Sequence, residues 1–416
     1  PYTEWPEDVV ETLSGTYSLV HGGYEFNGDP LSKFDEGEIR EVLKNWKGKV
    51  DGVAVVAVFS SINDDQEERT IGLIHEVLGE DFPTSKSADI GSIGLIGREN
   101  ATILNTALFK VIRKVTDGFS KALRAEKITA AKQYLCQNNG TLMALDYAEK
   151  YPILTIGSGP TNSIRGAAYL SGKKNALVLD IGGTTSDIGA LVNGFPRESS
   201  KSVIVGGVET NFRMPDILSI GLGGGSIVHK ASDGTVTVGP DSVGYAITEK
   251  AKIFGGDVVT ATDIVVKLGL TKLGDPNLVE DISENDARQA LAAIKKIIED
   301  GIDLMKTSSE NVNLILVGGG SIISPKELIG VSEVYTNEYG GVANAIGATI
   351  AQIGGEFEKI YPYVDVPRQE ALADATKLAT NHAVSAGALL DTIQVVEISE
   401  TPLSYAPGDT TKVKIK

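Results

Sequence analysis

Apolar positions along the chain fall into three patterns, and each predicts a different kind of element. Continuous β-branched or aliphatic runs predict buried strands. Gly52 to Phe59 is the first such run, Ala176 to Ile181 the second and Leu314 to Val317 the third. One-sided helical spacing is the second pattern. It predicts a helix over Asn100 to Lys127, with Ile103, Leu104, Leu108, Val111, Ile112, Val115, Phe119 and Leu123 on one side. It also predicts one after Ser283, capped with Asp286 and carried by Ala287, Leu291, Ile294, Ile298 and Ile302. Asp35 to Arg40 reads as another helix start. The third pattern is a run of small residues, Ala343 to Ile353, which suits a helix packed closely between lobes. Asp391 to Val396 and Thr411 to Lys416 predict edge β-structure, and Pro1 to Pro6 a connecting segment.

Around residue 180 the pattern changes from period to punctuation. The strand Ala176–Ile181 runs into Gly182-Gly183-Thr184-Thr185-Ser186-Asp187 and then a second apolar run, Ile188 to Val192. Two strands flanking a tight glycine turn predict a β-hairpin, not the strand–helix unit of a Rossmann or Walker loop. A carboxylate at the strand end can orient a magnesium ion, glycines let backbone N–H groups approach phosphate, and hydroxyls can bind it. Asp187 returns on the second strand, placed to hold a water or a second metal contact. A plain β-turn whose Asp and Thr satisfy their own backbone is the other reading of these residues. Downstream, Leu316-Val317 ends in Gly318-Gly319-Gly320-Ser321, bare backbone on which an adenine ring and ribose can lie.

Composition narrows the function classes. At 416 residues and 43.9 kDa the chain exceeds one ordinary core and predicts two or three lobes. A net charge of −17 excludes a nucleic-acid surface, since a phosphate backbone would be repelled. An anionic ligand must then be held by main-chain N–H groups and a metal ion, for which the 47 glycines leave room. No apolar run reaches the roughly 20 residues of a membrane helix. Cys136 is the one cysteine, which predicts no internal disulfide and a reducing, cytoplasmic setting. His21, His75 and His229 have no metal-ligand spacing, and no Ser-His-Asp or Cys-His arrangement supports covalent hydrolysis.

The order of hairpin, glycine loop and small-residue helix resembles the actin, sugar-kinase and heat-shock ATPase superfamily. In detail the chain resembles its hydantoinase A and 5-oxoprolinase branch. The matching text is Arg98-Glu99-Asn100, Gln137 to Met143, Gly157 to Pro160, Leu179 to Gly189, Met214-Pro215-Asp216, Ser219 to Ser226, Val238 to Ser242 and Thr262-Asp263. The resemblance implies an α/β, actin-like (ribonuclease H-like) fold of two lobes around a nucleotide cleft. Residues 1–170 would be the remainder of the first lobe, 171–340 the second lobe, and 341–416 a connecting helix with a segment returning to the first. It implies ATP and Mg²⁺ as cofactors, with Asp180 on the metal and Asp187 on water or metal. Gly182, Gly183, Thr184 and Thr185 would hold phosphates, and Gly318, Gly319, Gly320 and Ser321 adenosine. Asp216, Gly223, Gly224, Gly225, Ser226 and Asp263 would shape the substrate side, with a structural glycine turn the other reading of 223–226. The implied activity is ATP-dependent opening of a cyclic amide such as a hydantoin or 5-oxoproline-like lactam, through phosphorylation of the amide oxygen. Two alternatives are a subunit of an ATP-dependent ketone carboxylase and a non-enzymatic nucleotide-binding protein. The family's own opening strand, ending in Asp-x-Gly-Gly-Thr, implies an upstream segment as a partner, beside a second hydantoinase-type subunit and self-association.

Overall fold

A computed structural model describes residues 1–416 apart from 14, 27, 92–93, 200–202, 213 and 404–408. Its largest sheet is built on the predicted hairpin. Ala176–Ile181 pairs antiparallel with Ser186–Val192 on one side and parallel with Val312–Val317 on the other. Ile217–Ile220 extends the sheet beyond Ser186–Val192, and Val331–Thr336 beyond Val312–Val317. Side chains alternate across a strand, so Leu177, Leu179 and Ile181 face one layer and Val178 the other. The first layer is the helix Glu284–Met305, capped by Ser283, whose Ala287, Ala290, Ile294, Ile298 and Ile302 are fully buried. The second is the helix Ser158–Ser171, packed through Ile164 and Ala167 on Val178, Leu191, Ile315 and Val317.

The small-residue helix is shorter than its sequence pattern, Ala343–Thr349, because Gln352 leaves it to accept from the Leu142 N–H at 2.8 Å. Its close packing is real. A Cβ on Gly166 would stand 1.9 Å from the Ala343 carbonyl oxygen, and one on Gly347 at 1.9 Å from that of Asn162. Only hydrogen at these positions lets the two helices meet.

In the first part of the chain the strand covers Val53–Val55, pairing parallel with Thr84–Lys86, and stops short of Phe59. Ala57 cannot continue the ladder: its N–H donates to Glu67 Oε1 at 2.7 Å, and its carbonyl accepts from Arg98 Nη2 at 2.8 Å. Phe59 turns away at φ +51°. The helix expected over Asn100 to Lys127 is two helices, Leu95–Ala107 and Phe109–Ala125, divided at Leu108, whose N–H reaches both Leu104 and Asn105 carbonyls.

The C-terminal part forms a sheet of Phe357–Pro362, Thr410–Ile415 and Ile398–Pro402, covered by the helix Arg368–Ser385. Thr410–Ile415 is its central strand, not an edge, and Leu390–Thr392 is a short 3₁₀ turn where edge β-structure was expected. The partners of Thr410–Ile415 come from 357–362 and 398–402, outside any local window. Lys414 is 2% exposed in this strand and pairs with Glu198 and Glu356 at 3.0 and 3.1 Å. The C-terminal helix region then returns to the first part, with the Ala144 N–H on the Ala386 carbonyl and Met143, Ala148 and Ala386 in one cluster. Among the described residues no helix is long and apolar enough to cross a membrane.

Candidate functional site

The hairpin turn is held by two other loops, and the way they hold it decides its chemistry. The Ile181 carbonyl accepts from Gly320 N–H at 2.8 Å and the Gly182 carbonyl from Gly224 N–H at 3.0 Å. The Gly183 carbonyl accepts from Gly225 N–H at 2.7 Å and from the Ser242 hydroxyl at 3.3 Å. The carbonyls of Ile181, Gly182 and Gly183 are therefore occupied from within. Gly182 N–H closes the turn on the Thr185 carbonyl at 2.9 Å. The N–H groups of Gly183, Thr184 and Thr185, by contrast, have no partner among the described residues, and all three residues are exposed. Nothing lies within 4 Å of a Cβ built on Gly183. A turn with several carbonyls consumed and several N–H groups left without a partner carries excess positive partial charge, which suits anionic oxygens.

Two carboxylates flank this turn. Asp180 and Asp187 are opposite one another in the antiparallel register, so their Cβ atoms are about 5 Å apart on one face of the sheet. Burial pushes the Asp187 carboxyl above its ordinary range, the charge of Asp180 pushes the same way, and the hydrogen bond from the Ser219 hydroxyl opposes both. Two adjacent carboxylates, one resisting ionisation, attract a cation. Gly318 sits against them at φ +90°, and a Cβ there would come within 2.3 Å of both Asp180 Oδ1 and the Ile181 carbonyl oxygen. Among the described residues no group of three or more His, Cys, Asp or Glu side chains could by itself hold a metal. The donor set fits a magnesium ion that keeps water and takes one or two carboxylates together with phosphate oxygens.

Three stretches far apart in sequence thus meet: 180–187, 223–226 and 318–321. The 223–226 loop lies backbone against backbone on the turn, since a Cβ on Gly223 would fall 2.6 Å from the Gly183 carbonyl carbon and the Thr184 nitrogen. It is anchored by Ser226, whose hydroxyl accepts from Gly223 N–H at 2.8 Å, and by the Thr262 hydroxyl on the Gly224 carbonyl at 2.7 Å. Gly223, Gly224, Gly225 and Ser226 are buried as a support under the turn.

Asp216 and Asp263 are not brought to this place. Asp216 precedes the strand Ile217–Ile220, about 10 Å along it from Ser219, and is paired with Arg197 at 2.7 Å. Asp263 is fully buried in a capping box: Oδ2 accepts from the Thr260 N–H at 2.6 Å and Oδ1 from the Ile253 N–H at 2.7 Å. Removing it would orphan these donors and cut the cap under the 223–226 support. Asp263→Ala is expected to cost about 2–4 kcal/mol, measured by denaturant unfolding; a midpoint unchanged from wild type contradicts this role.

Ser219, Ser242 and Thr262 lie in stretches that carry the resemblance but have no individual role legible in the sequence, although each is bonded to the turn or its supports. Ser219 had a readable partner only once the register of Ile217–Ile220 against Ser186–Gly189 was known. His229 pairs with Asp241 at 2.8 Å, His21 with Glu38 at 3.0 Å, and neither joins the turn. A cavity of about 670 Å³ lies elsewhere, beside Val53–Val55 and lined by Ile39, Leu43, Val55, Ile74 and Phe109. That cavity is lined mainly by apolar side chains, whereas the unpartnered N–H groups and paired carboxylates lie at the turn.

The hydantoinase/oxoprolinase profile matches residues 98–274, and that of the hydantoinase/oxoprolinase N-terminal region matches 10–78. Caprolactamase subunit alpha of Pseudomonas jessenii is 27% identical over 305 residues, which are 70% of this chain and 43% of that protein. The acetone carboxylase beta subunit of Xanthobacter autotrophicus is 26% identical over 265 residues, 61% of this chain and 36% of that one. The matched stretch therefore spans less than half the length of both. The crystal structure of ATP-dependent caprolactamase from Pseudomonas jessenii superimposes with a TM-score of 0.76 at 18% identity, covering 95% of this chain and 68% of that one. At that identity the likeness speaks for the fold alone, an α/β architecture shared with the caprolactamase. With the two profiles of one family together matching more than half of its residues, the chain belongs to the hydantoinase/oxoprolinase family.

Proposed function

We propose that the chain binds ATP at the 180–187 turn and uses it to activate the carbonyl of a small cyclic amide for ring opening. The observation that carries this reading is the turn itself, with the carbonyls of 181–183 tied inward and the N–H groups of 183–185 without a partner among the described residues. Those N–H groups and the Thr184 and Thr185 hydroxyls would hold phosphate oxygens, and Gly318 to Ser321 the adenosine. Asp180 would hold Mg²⁺, while Asp187 would position a water or a second contact to the ion. ATP, when bound, supplies the phosphoryl group that turns an unreactive amide oxygen into a leaving group. The work of the chain would then be alignment and neutralisation of phosphate charge. The burial of 223–226 under the turn favours its reading as a structural glycine turn, and the pairing of Asp216 with Arg197 and the capping box of Asp263 favour roles in the fold.

A ketone carboxylase subunit is a second reading with its own support, since the identities to the caprolactamase and acetone carboxylase subunits are nearly equal at 27% and 26%. Both relatives are named as subunits, which supports a partner subunit here. A front segment also retains a place: an extended strand laid on the open side of Val53–Val55 would fill the cavity of about 670 Å³. The deciding measurement is phosphate release from ATP by the chain with its partner subunit. Release dependent on a lactam or hydantoin is expected; release dependent on a ketone with bicarbonate supports the second reading. No release with either, and no nucleotide binding, overturns both.

A further inference from the structure

The helix Phe109–Ala125 presents to solvent a face that its own chain does not use. Phe109, Ile112 and Thr116 are its buried side. Val111, Val115 and Phe119 follow at successive turns and are 57%, 51% and 43% exposed. Ala122 falls on the same stripe, as does Gly118, where an added Cβ would touch nothing. Three apolar side chains on consecutive turns of one stripe are a docking ridge, not scattered surface apolars.

Charge says what the ridge fits. The helix carries Lys110, Arg113, Lys114, Lys121 and Arg124 against one carboxylate, Asp117, in a chain of net charge −17. Helical geometry sets Lys110, Lys114 and Lys121 in a row along one edge of the apolar stripe. Lys110 pairs with Asp51 at 2.7 Å, whereas Arg113, Lys114 and Lys121 have no acidic partner among the described residues. An antiparallel two-fold contact of the stripe with a second copy would set the two lysine rows side by side and repel. A bilayer fits poorly as well: the cations line one edge only, and the remainder of the chain is strongly acidic.

We infer that this face docks a partner polypeptide presenting an apolar ridge with an acidic rim, such as an amphipathic helix. The inference stands apart from the ATP reading, because neither the ridge nor its charges touch the 180–187 turn.

The test uses the whole chain and a fluorescent helical peptide of about 20 residues, with Leu on one stripe and Glu along both edges. Fluorescence anisotropy is expected to show saturable binding that weakens about tenfold between ~50 and ~300 mM salt. Val115→Asp should weaken it at least about tenfold. Lys114→Glu with Lys121→Glu should lose the Glu-edged peptide and gain a Lys-edged one. All three positions are exposed, and a circular dichroism melt verifies that the variants fold. Absence of saturable binding, or binding indifferent to Val115→Asp, overturns the proposal. So does binding to vesicles containing about 30% phosphatidylserine but not to the peptide, which would assign the face to a membrane. A sedimenting dimer that Val115→Asp dissolves would assign it to a second copy and overturn the proposal equally.

Discussion

Asp180→Asn is expected to leave the fold standing and to reduce ATP turnover by about 10²–10³-fold. Asn has the same shape, so the contacts around Gly318 persist, but the charge that would hold Mg²⁺ beside the phosphates is gone. The substitution also removes one of the two causes that raise the Asp187 carboxyl. Burial and the neighbouring charge both make Asp187 costly to ionise in the fold, so the substitution relieves a like-charge repulsion. The nucleotide-free variant should therefore melt no lower than wild type at pH 7. That pairing of outcomes, intact stability with lost turnover, is what separates a metal-holding carboxylate from a structural one. Phosphate-release kinetics and a thermal melt on the same sample measure both. A variant with wild-type turnover would remove Asp180 from the chemistry.

Gly318→Ala is the second large effect, and it acts first on the fold. The new methyl would need 2.3 Å to the Asp180 carboxylate and 2.3 Å to the Ile181 carbonyl, at a φ of +90° that side chains rarely adopt. The Ile181 carbonyl cannot retreat without losing its bond from Gly320 N–H at 2.8 Å. A loss of about 2–4 kcal/mol is expected, together with weaker nucleotide binding as Asp180 is displaced. Gly319→Ala is the matched control, since a Cβ there meets nothing within 4 Å and should change stability little. Equal unfolding midpoints for the two variants would contradict the packing described here.

The separation of local from tertiary information is clear in particular elements. The hairpin was legible because two aliphatic runs around a Gly-Gly-Thr-Thr turn admit few other structures. The helix after Ser283 was legible for the same reason, its cap and its apolar stripe both being local. The strand at Gly52–Phe59 was overestimated because Glu67 and Arg98 take the Ala57 backbone groups from elsewhere in the chain. The one-sided spacing of Asn100 to Lys127 hid both the division at Leu108 and the exposure of Val111, Val115 and Phe119. Periodicity reports that residues share a side, not whether anything covers it.

By itself the sequence determined the strand–turn–strand at 176–192, the residue types able to meet phosphate and a cation, and the family. Those properties are carried by neighbours in the chain, where covalent connection sets the spacing. Only the tertiary structure decided which groups of the turn remain free. Residues 224, 225 and 320 supply the N–H groups that consume its carbonyls, and they come from loops some 40 and 140 positions downstream. Likewise it turned Asp263 into a buried cap and Asp216 into the partner of Arg197. A hydrogen bond is satisfied by whatever donor the fold brings within about 3 Å, and sequence distance does not enter.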